Sequence, residues 1–435
     1  MKFIVHAVTA CGLALVASAT GATEAPAAPP PTIVLKAAHL FDGKSGALTS
    51  PGLVVVSGQK IVAVGAGAPV PAGAKLIDLG DATLLPGFID AHVHLTDESS
   101  SNPYRDFYQG MLRFPVEQSF YAAKNARTTL AAGFTTVRNV GASDWIDLAL
   151  RNAVNAGLVP GPRILGAAHA IGSPGGHCDQ APFPPAEIKL LTPLEGVCSG
   201  PEQCREAVRL QMKFGADVIK ICASGGVFSE SDPLKVPQLT PEELRAIIGE
   251  AHTWGRKVAA HAHGDEAARL AVEAGIDSIE HGSFLSVKTL ELMKQKGTYL
   301  VPTRMAAWWS NAHADSYPPP IAAKARQLLA AHAEMFRNAL RIGVPIAFGT
   351  DSAVSPHGMN AHEFQLMVDL GMPPAQALLS ASREAAKLLG VDAETGSLEP
   401  NKSADIVAVP GNPLEQISVT EHPKFVMARG AIIVE

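Results

Sequence analysis

His92, His94, Lys220, His261, His281 and Asp351 each fall at or near the end of a short apolar run. Imidazole nitrogens and carboxylate oxygens are the common protein ligands of zinc-like ions. His92 and His94, two positions apart in a strand, share a face and can grip one ion. Lys220 is the anomaly. It sits in Ala216-Asp217-Val218-Ile219-Lys220-Ile221, where an ammonium is costly to bury. The cost is relieved if the amine has taken up CO2, because a carbamate is an anion that can bind metal. Four imidazoles, a carboxylate and a carboxylated lysine would hold two divalent ions and make the chain a hydrolase. One histidine at a strand end is ordinarily just a hydrogen-bonded polar residue. It is the set that points to metal chemistry.

Elements that could position the set follow from the pattern. Phe88 to Val93, Thr135 to Val140, Arg163 to Ala168, Val218 to Cys222, Lys257 to His261, Ser278 to His281, Thr298 to Pro302 and Pro345 to Thr350 read as strands. Helical spacing marks Glu117 to Ala132, Pro201 to Phe214, Pro241 to Trp254, Glu266 to Ala274, Val287 to Lys296 and Ala322 to Arg341. Thr240-Pro241-Glu242-Glu243 is a helix start, with a Thr cap and Pro at the first position. Strand–helix alternation predicts an α/β fold, a (β/α)8 TIM-like barrel over residues 86–392, with its site at the C-terminal strand ends. A doubly wound open sheet is the alternative. β-rich runs at 32–85 and 393–435 predict a small β-sandwich domain built from both chain termini.

The chain has 435 residues, 47% hydrophobic and 17% charged, which predicts compact globular structure rather than disorder. A net charge of -6 with no basic run argues against nucleic acid as a partner. Met1-Lys2, an apolar stretch from Phe3 to Val16 and small residues near Ala22 predict a signal peptide at 1–22. A Pro/Ala linker follows at 23–31. The chain is therefore expected to be exported, periplasmic or secreted, with no membrane span. Export would permit disulfides, and Cys198 and Cys204, flanking a Ser-Gly-Pro turn, form the plausible pair. Cys222 reads as a small buried apolar residue.

Several motifs resemble a known family. Pro86-Gly87-Phe88-Ile89-Asp90-Ala91-His92-Val93-His94 is similar to the opening motif of the amidohydrolase superfamily. Gly133-Phe134-Thr135-Thr136-Val137-Arg138 and Gly349-Thr350-Asp351-Ser352 resemble its second-strand and eighth-strand motifs. Lys220 to Val227, His261-Ala262-His263-Gly264 and Ser355-Pro356-His357-Gly358 narrow the resemblance. They are similar to the imidazolonepropionase-like branch, which contains metal-dependent Xaa-Pro and Xaa-Arg/Lys dipeptidases and ochratoxinase-type enzymes. Asn139 departs from that pattern, which often has Asp after the Arg.

The resemblance implies that His92, His94 and Asp351 hold one ion and that His261 and His281 hold the other. Carboxylated Lys220 would bridge them, with zinc the expected metal. Asp351 would move the proton from the attacking water to the leaving nitrogen. His263, two positions beyond His261, faces the same site. It would polarise the carbonyl, contact the substrate carboxylate or support a ligand. His177 and His357 are further candidates on the substrate side. Ser224, Gly225 and Gly226 form a tight loop whose N–H groups could meet an anion. The expected reaction is hydrolysis of an N-acyl or N-aminoacyl amino acid, a dipeptide or ochratoxin A among them, by a homo-oligomer. Rival readings are a mononuclear imidazolonepropionase- or deaminase-like hydrolase and a non-catalytic barrel scaffold.

Overall fold

Residues 32–98, 102–179, 190–230 and 232–435 are described in the computed structural model. The expected signal and linker lie outside them. Strands β1 (Thr32–Ala37), β2 (His39–Phe41), β3 (Leu48–Thr49), β4 (Gly52–Ser57), β5 (Lys60–Val64), β6 (Lys75–Asp78) and β7 (Ala82–Pro86) come first. Next are β8 (Phe88–Val93), β9 (Phe134–Asn139), β10 (Arg163–Gly166), β11 (Val218–Cys222), β12 (Lys257–Ala262), β13 (Ser278–His281) and β14 (Tyr299–Val301). β15 (Ile406–Pro410), β16 (Phe425–Ala428) and β17 (Ala431–Val434) come last.

The two ends of the chain share a sheet. Its order is β17-β16-β15-β7-β2-β3, and a second sheet runs β5-β4-β1-β6. β7 pairs antiparallel with β15 from Ala82↔Pro410 to Pro86↔Ile406. Side chains of both sheets, among them Leu35, Val54, Ile61, Leu84, Ile406 and Phe425, form one buried cluster. Sequence periodicity missed β7 because it is buried at every position and so shows no alternation.

β8 to β14 are parallel, in sheets β10-β9-β8 and β11-β12-β13-β14. β8, β9, β11 and β13 are buried along their whole length, the pattern of parallel strands covered on both faces. Single parallel bridges link the sheets: Ile171↔Ile221, Leu300↔Ile346 and Val93↔Ser352. The helices between the strands start on local chemistry. Thr240 and Glu243 form a capping box ahead of Pro241–Thr253, and Ser286 caps Val287–Lys296. Phe88, Phe134, Phe348 and Phe364 pack with ring centroids 4.4–5.5 Å apart. Each such buried ring contributes roughly 1.5–3 kcal/mol.

Two expectations change. Pro345–Thr350 is extended chain rather than a regular strand. Ala347 N donates to Leu300 O (3.0 Å), Ala91 N to Phe348 O (2.9 Å), and Phe348 N turns outward to Ser380 O (3.0 Å). The Asp90 carboxylate takes the Thr350 N–H at 3.1 Å, where a ladder carbonyl would otherwise accept. Cys222 is not a plain apolar residue either: it is disulfide-bonded to Cys178, with Cα atoms 5.7 Å apart. The end of β11 meets the chain after β10 through Cys222 N donating to Ile171 O at 2.9 Å, which brings the two cysteines together. Cys198 and Cys204 form the second bridge. No helix among the described residues is long and apolar enough to cross a membrane.

Candidate metal centre

The six candidate ligands come from five chain segments, at or near their ends. His92 and His94 lie at the end of β8, Lys220 in β11, His261 in β12, and His281 at the end of β13. Asp351 follows the extended eighth segment. Strand register sets Cys222 beside His261 and Ala262 beside His281. His92 Nε2 is 3.4 Å and His94 Nε2 3.5 Å from Asp351 Oδ1. Lys220 Nζ is 3.5 Å from His92 Nε2. The rings of His261 and His281 are 4.6 Å apart, and those of His92 and His281 4.9 Å. Two triads, His92/His281/Asp351 and His261/His263/His281, each gather their donor atoms within 4.8 Å. His281 (φ 69°) and Asp351 (φ 59°) both adopt the left-handed region. That conformation costs about 1–3 kcal/mol each and is typical of functional sites.

Hydrogen bonding leaves a lone pair on every ligand imidazole. His92 Nδ1 donates to Glu280 Oε2 at 2.7 Å, and His94 Nδ1 to Gly141 O at 3.2 Å. Thr303 Oγ1 gives its proton to Pro302 O, so His281 Nδ1 donates to Thr303 at 2.7 Å. His261 is reversed, with Nε2 donating to Gly225 O at 3.2 Å. Nε2 of His92, His94 and His281, and Nδ1 of His261, are therefore acceptors. His92 Nε2, His94 Nε2 and the Asp351 carboxylate thus converge as three acceptors with no proton to share. Such a group favours a cation at its centre, and the donor set fits divalent ions of the zinc type.

Glu280 was not singled out by its sequence, yet it organises the centre. It precedes His281, and its carboxylate binds His92 on one side and Arg138 Nη2 (2.8 Å) on the other. Arg138 also donates to Ala91 O at 2.6 Å and to Ser278 Oγ at 3.2 Å. Asp90 supports the opposite flank, accepting from His92 N (3.0 Å), Thr350 Oγ1 (2.7 Å) and Asn360 (2.8 Å). Asn139, the departure noted above, accepts from Leu95 N at 2.7 Å and donates to Gly141 O, the carbonyl that also holds His94. Glu280→Gln is expected to weaken metal affinity about 10–100-fold, the usual cost of losing such a support. Competition with a chromophoric chelator reads this directly.

Electrostatics agree with ligation. Burial keeps three of the imidazoles neutral: His94 is pushed down to about 4, and His261 and His281 lie well below the usual range. Burial alone would raise Glu280, but Arg138 and His92 hold it at about 2. Asp351 likewise stays ionised against burial because His92, His94 and Lys220 surround it. Burial, assisted by Arg138, lowers Lys220 to about 8 against the pull of Glu280 and Asp351. A larger fraction of neutral amine follows, which is the form that reacts with CO2.

The substrate-side candidates divide. His263 and His177 join the cluster, with rings 4.8 Å and 4.3 Å from that of His261. His263 Nδ1 meets Ser283 Oγ at 2.8 Å, leaving Nε2 as its remaining polar atom. Ser224 is turned inward, accepting from His263 N (2.9 Å) and donating to Gly225 O (3.0 Å). The Gly226 N–H goes to Asp232 at 3.3 Å, and a Cβ on Gly226 would overlap the His177 ring. His357 bridges Ser352 Oγ (3.2 Å) and Asp97 O (2.8 Å), so both of its nitrogens have protein partners.

The profile of the amidohydrolase family matches residues 83–433. Ochratoxinase of Aspergillus niger is 33% identical over 414 residues, covering 90% of this chain and 84% of that protein. A solved Xaa-Pro dipeptidase with methionine bound in its active site is 39% identical, with a TM-score of 0.88. The match covers 92% of this chain and 99% of that one. The crystal structure of A. niger ochratoxinase is 31% identical with a TM-score of 0.82, covering 93% and 96% of the two chains. The profile match, the relatives and the strand-end ligands agree: the chain belongs to the amidohydrolase family.

Proposed function

We propose that the chain is a binuclear metal-dependent amidohydrolase that releases the C-terminal amino acid from dipeptides or N-acyl amino acids, with ochratoxin A among the candidate substrates. The observation that carries this is the convergence of acceptor atoms from His92, His94 and Asp351 beside a buried lysine, with His261 and His281 alongside. His92, His94 and Asp351 would hold one ion, and His261 and His281 the other. Lys220 would bridge them as a carbamate, formed when its neutral amine adds CO2 and releases a proton. Two bound zinc-like ions would polarise the scissile carbonyl and lower the pKa of water.

The protein's own groups do the rest. Glu280 fixes His92 in the tautomer that presents Nε2. The Asp351 carboxylate takes the proton of the attacking water and passes it to the leaving nitrogen, which departs poorly unless protonated. His263 and His177, beside His261, orient the substrate. In this reading the parallel strands close as a (β/α)8 barrel over 86–392, and the segments 32–85 and 393–435 form a β-sandwich. The chain is exported after loss of residues 1–22 and works as a homo-oligomer.

A panel of dipeptides, N-acyl amino acids and ochratoxin A, scored by the free amino acid liberated, tests the reading. Release should require metal and stop with chelator. Turnover that survives complete metal removal would rule the reading out.

A further inference from the structure

We propose that the Cys178–Cys222 disulfide and the Lys324–Asp232 pair are positioning elements of this site, fixing His177 over His261. The inference rests on the functional reading above, in which His177 orients substrate. His177 is carried on the chain after β10, outside the strands that supply the ligands, so something must tie it down. Two independent tethers do so.

The first is covalent. Cys178, the next residue after His177, is bonded to Cys222, two positions beyond Lys220 in β11. The bridge spans 44 residues of chain and ties the His177 backbone to the strand carrying the bridging lysine. Gly172 packs against Cys178, where a Cβ would have no room, so the approach on that side of the bond is close.

The second runs through Asp232. His177 Nδ1 lies 2.9 Å from Ser229 Oγ, and Ser229 donates to Asp232 Oδ1 at 2.5 Å. The His177 N–H donates to Gln238 Oε1 at 2.9 Å, and Gln238 Nε2 donates to Asp232 Oδ2 at 2.8 Å. Both the ring and the backbone of His177 therefore converge on one carboxylate. Lys324, from the helix Pro319–Ile342, secures it. Its ammonium shares three protons among four acceptors, Asp232 Oδ1 (3.1 Å) and the carbonyls of Gly226 (3.0 Å), Ser229 (2.5 Å) and Asp232 (2.6 Å). Gly226 in turn is the residue whose missing Cβ admits the His177 ring. The disulfide and Gln238 hold the His177 backbone while Ser229 holds its ring, so both tethers bear on this one residue.

Cys178→Ala/Cys222→Ala and Lys324→Met test this in the metal-loaded protein. Misplacing an orienting group by about 1 Å can cost up to ~100-fold. Each variant is expected to raise KM for a cleaved dipeptide about 10-fold, with kcat changed less than about 3-fold. The Kd for L-methionine, read by calorimetry, should rise in parallel while metal content stays at the wild-type level. Cys198→Ala/Cys204→Ala should leave KM unchanged. If the double alanine variant does not fold, the Cys178–Cys222 bridge is opened by a phosphine reductant in folded Cys198→Ala/Cys204→Ala protein. The same rise in KM is then expected. Unchanged KM and Kd with only a lower melting temperature would overturn the inference and leave the hydrolase reading standing. Metal-loaded wild-type protein that cleaves no amide would overturn both.

Discussion

Replacing Lys220 with alanine is expected to lower kcat/KM by at least about 10³-fold, equivalent to roughly 4 kcal/mol of transition-state stabilisation. Two features of the structure separate this loss from simple damage. Lys220 is buried, and His92 Nε2 at 3.5 Å is the one hydrogen-bond-range neighbour of its side-chain amine among the described residues. Removing the amine removes a desolvated group, which offsets the lost attraction to Asp351 and the emptied space, so the metal-free variant should melt close to the metal-free wild type. The loss should instead track the metal. Without a bridging anion two cations repel across the centre, so content should fall below the wild-type level. Acetate or propionate, small enough to occupy the space left by the lysine stem, should restore part of the activity by returning a carboxylate. Full activity in Lys220→Ala without added carboxylate would contradict the bridging role.

Asp351→Asn should lower kcat by about 10²–10⁴-fold, the range expected for removing a positioned proton carrier. Asparagine is the informative substitution because Asp351 has φ 59°. Asn tolerates the left-handed region better than most residues, so the backbone that places the side chain is retained. The amide also keeps one oxygen towards His92 and His94. What disappears is the negative charge, and with it, in the proposed mechanism, both proton transfer and part of the grip on the first ion. Asp351→Ala should add backbone strain and lose stability as well, visible as a lower melting temperature than Asp351→Asn. Stopped-flow or steady-state assays at saturating metal separate the kcat effect from weakened binding. An Asp351→Asn protein with wild-type kcat would exclude Asp351 as the proton carrier.

The candidate ligands could be picked out of the sequence because each lies at or near the end of a short apolar run, and a strand end is a local signal. Lys220 stood out for the same reason: its neighbours Val218, Ile219 and Ile221 predict burial, and an ammonium conflicts with burial. Glu280 was hidden. It lies in β13 next to His281, but its partner His92 is 188 residues away. Arg138 is 142 residues from it. Alternation assigns Glu280 to the face opposite His281, and nothing local says that this face backs onto β8. The Cys178–Cys222 bridge was missed for a related reason, since 44 residues separate two cysteines with no spacing motif between them. The extended eighth segment read as a strand because its composition is that of one. Its backbone groups are taken by Ser380 and by the Asp90 carboxylate, partners that only the fold supplies.

The most direct test of the binuclear account is zinc titration of chelator-stripped protein, following release of the C-terminal amino acid from a cleaved dipeptide. Activity should climb until about two ions are bound per chain and then level off. Full activity at one ion per chain, or turnover in the stripped protein, would contradict it.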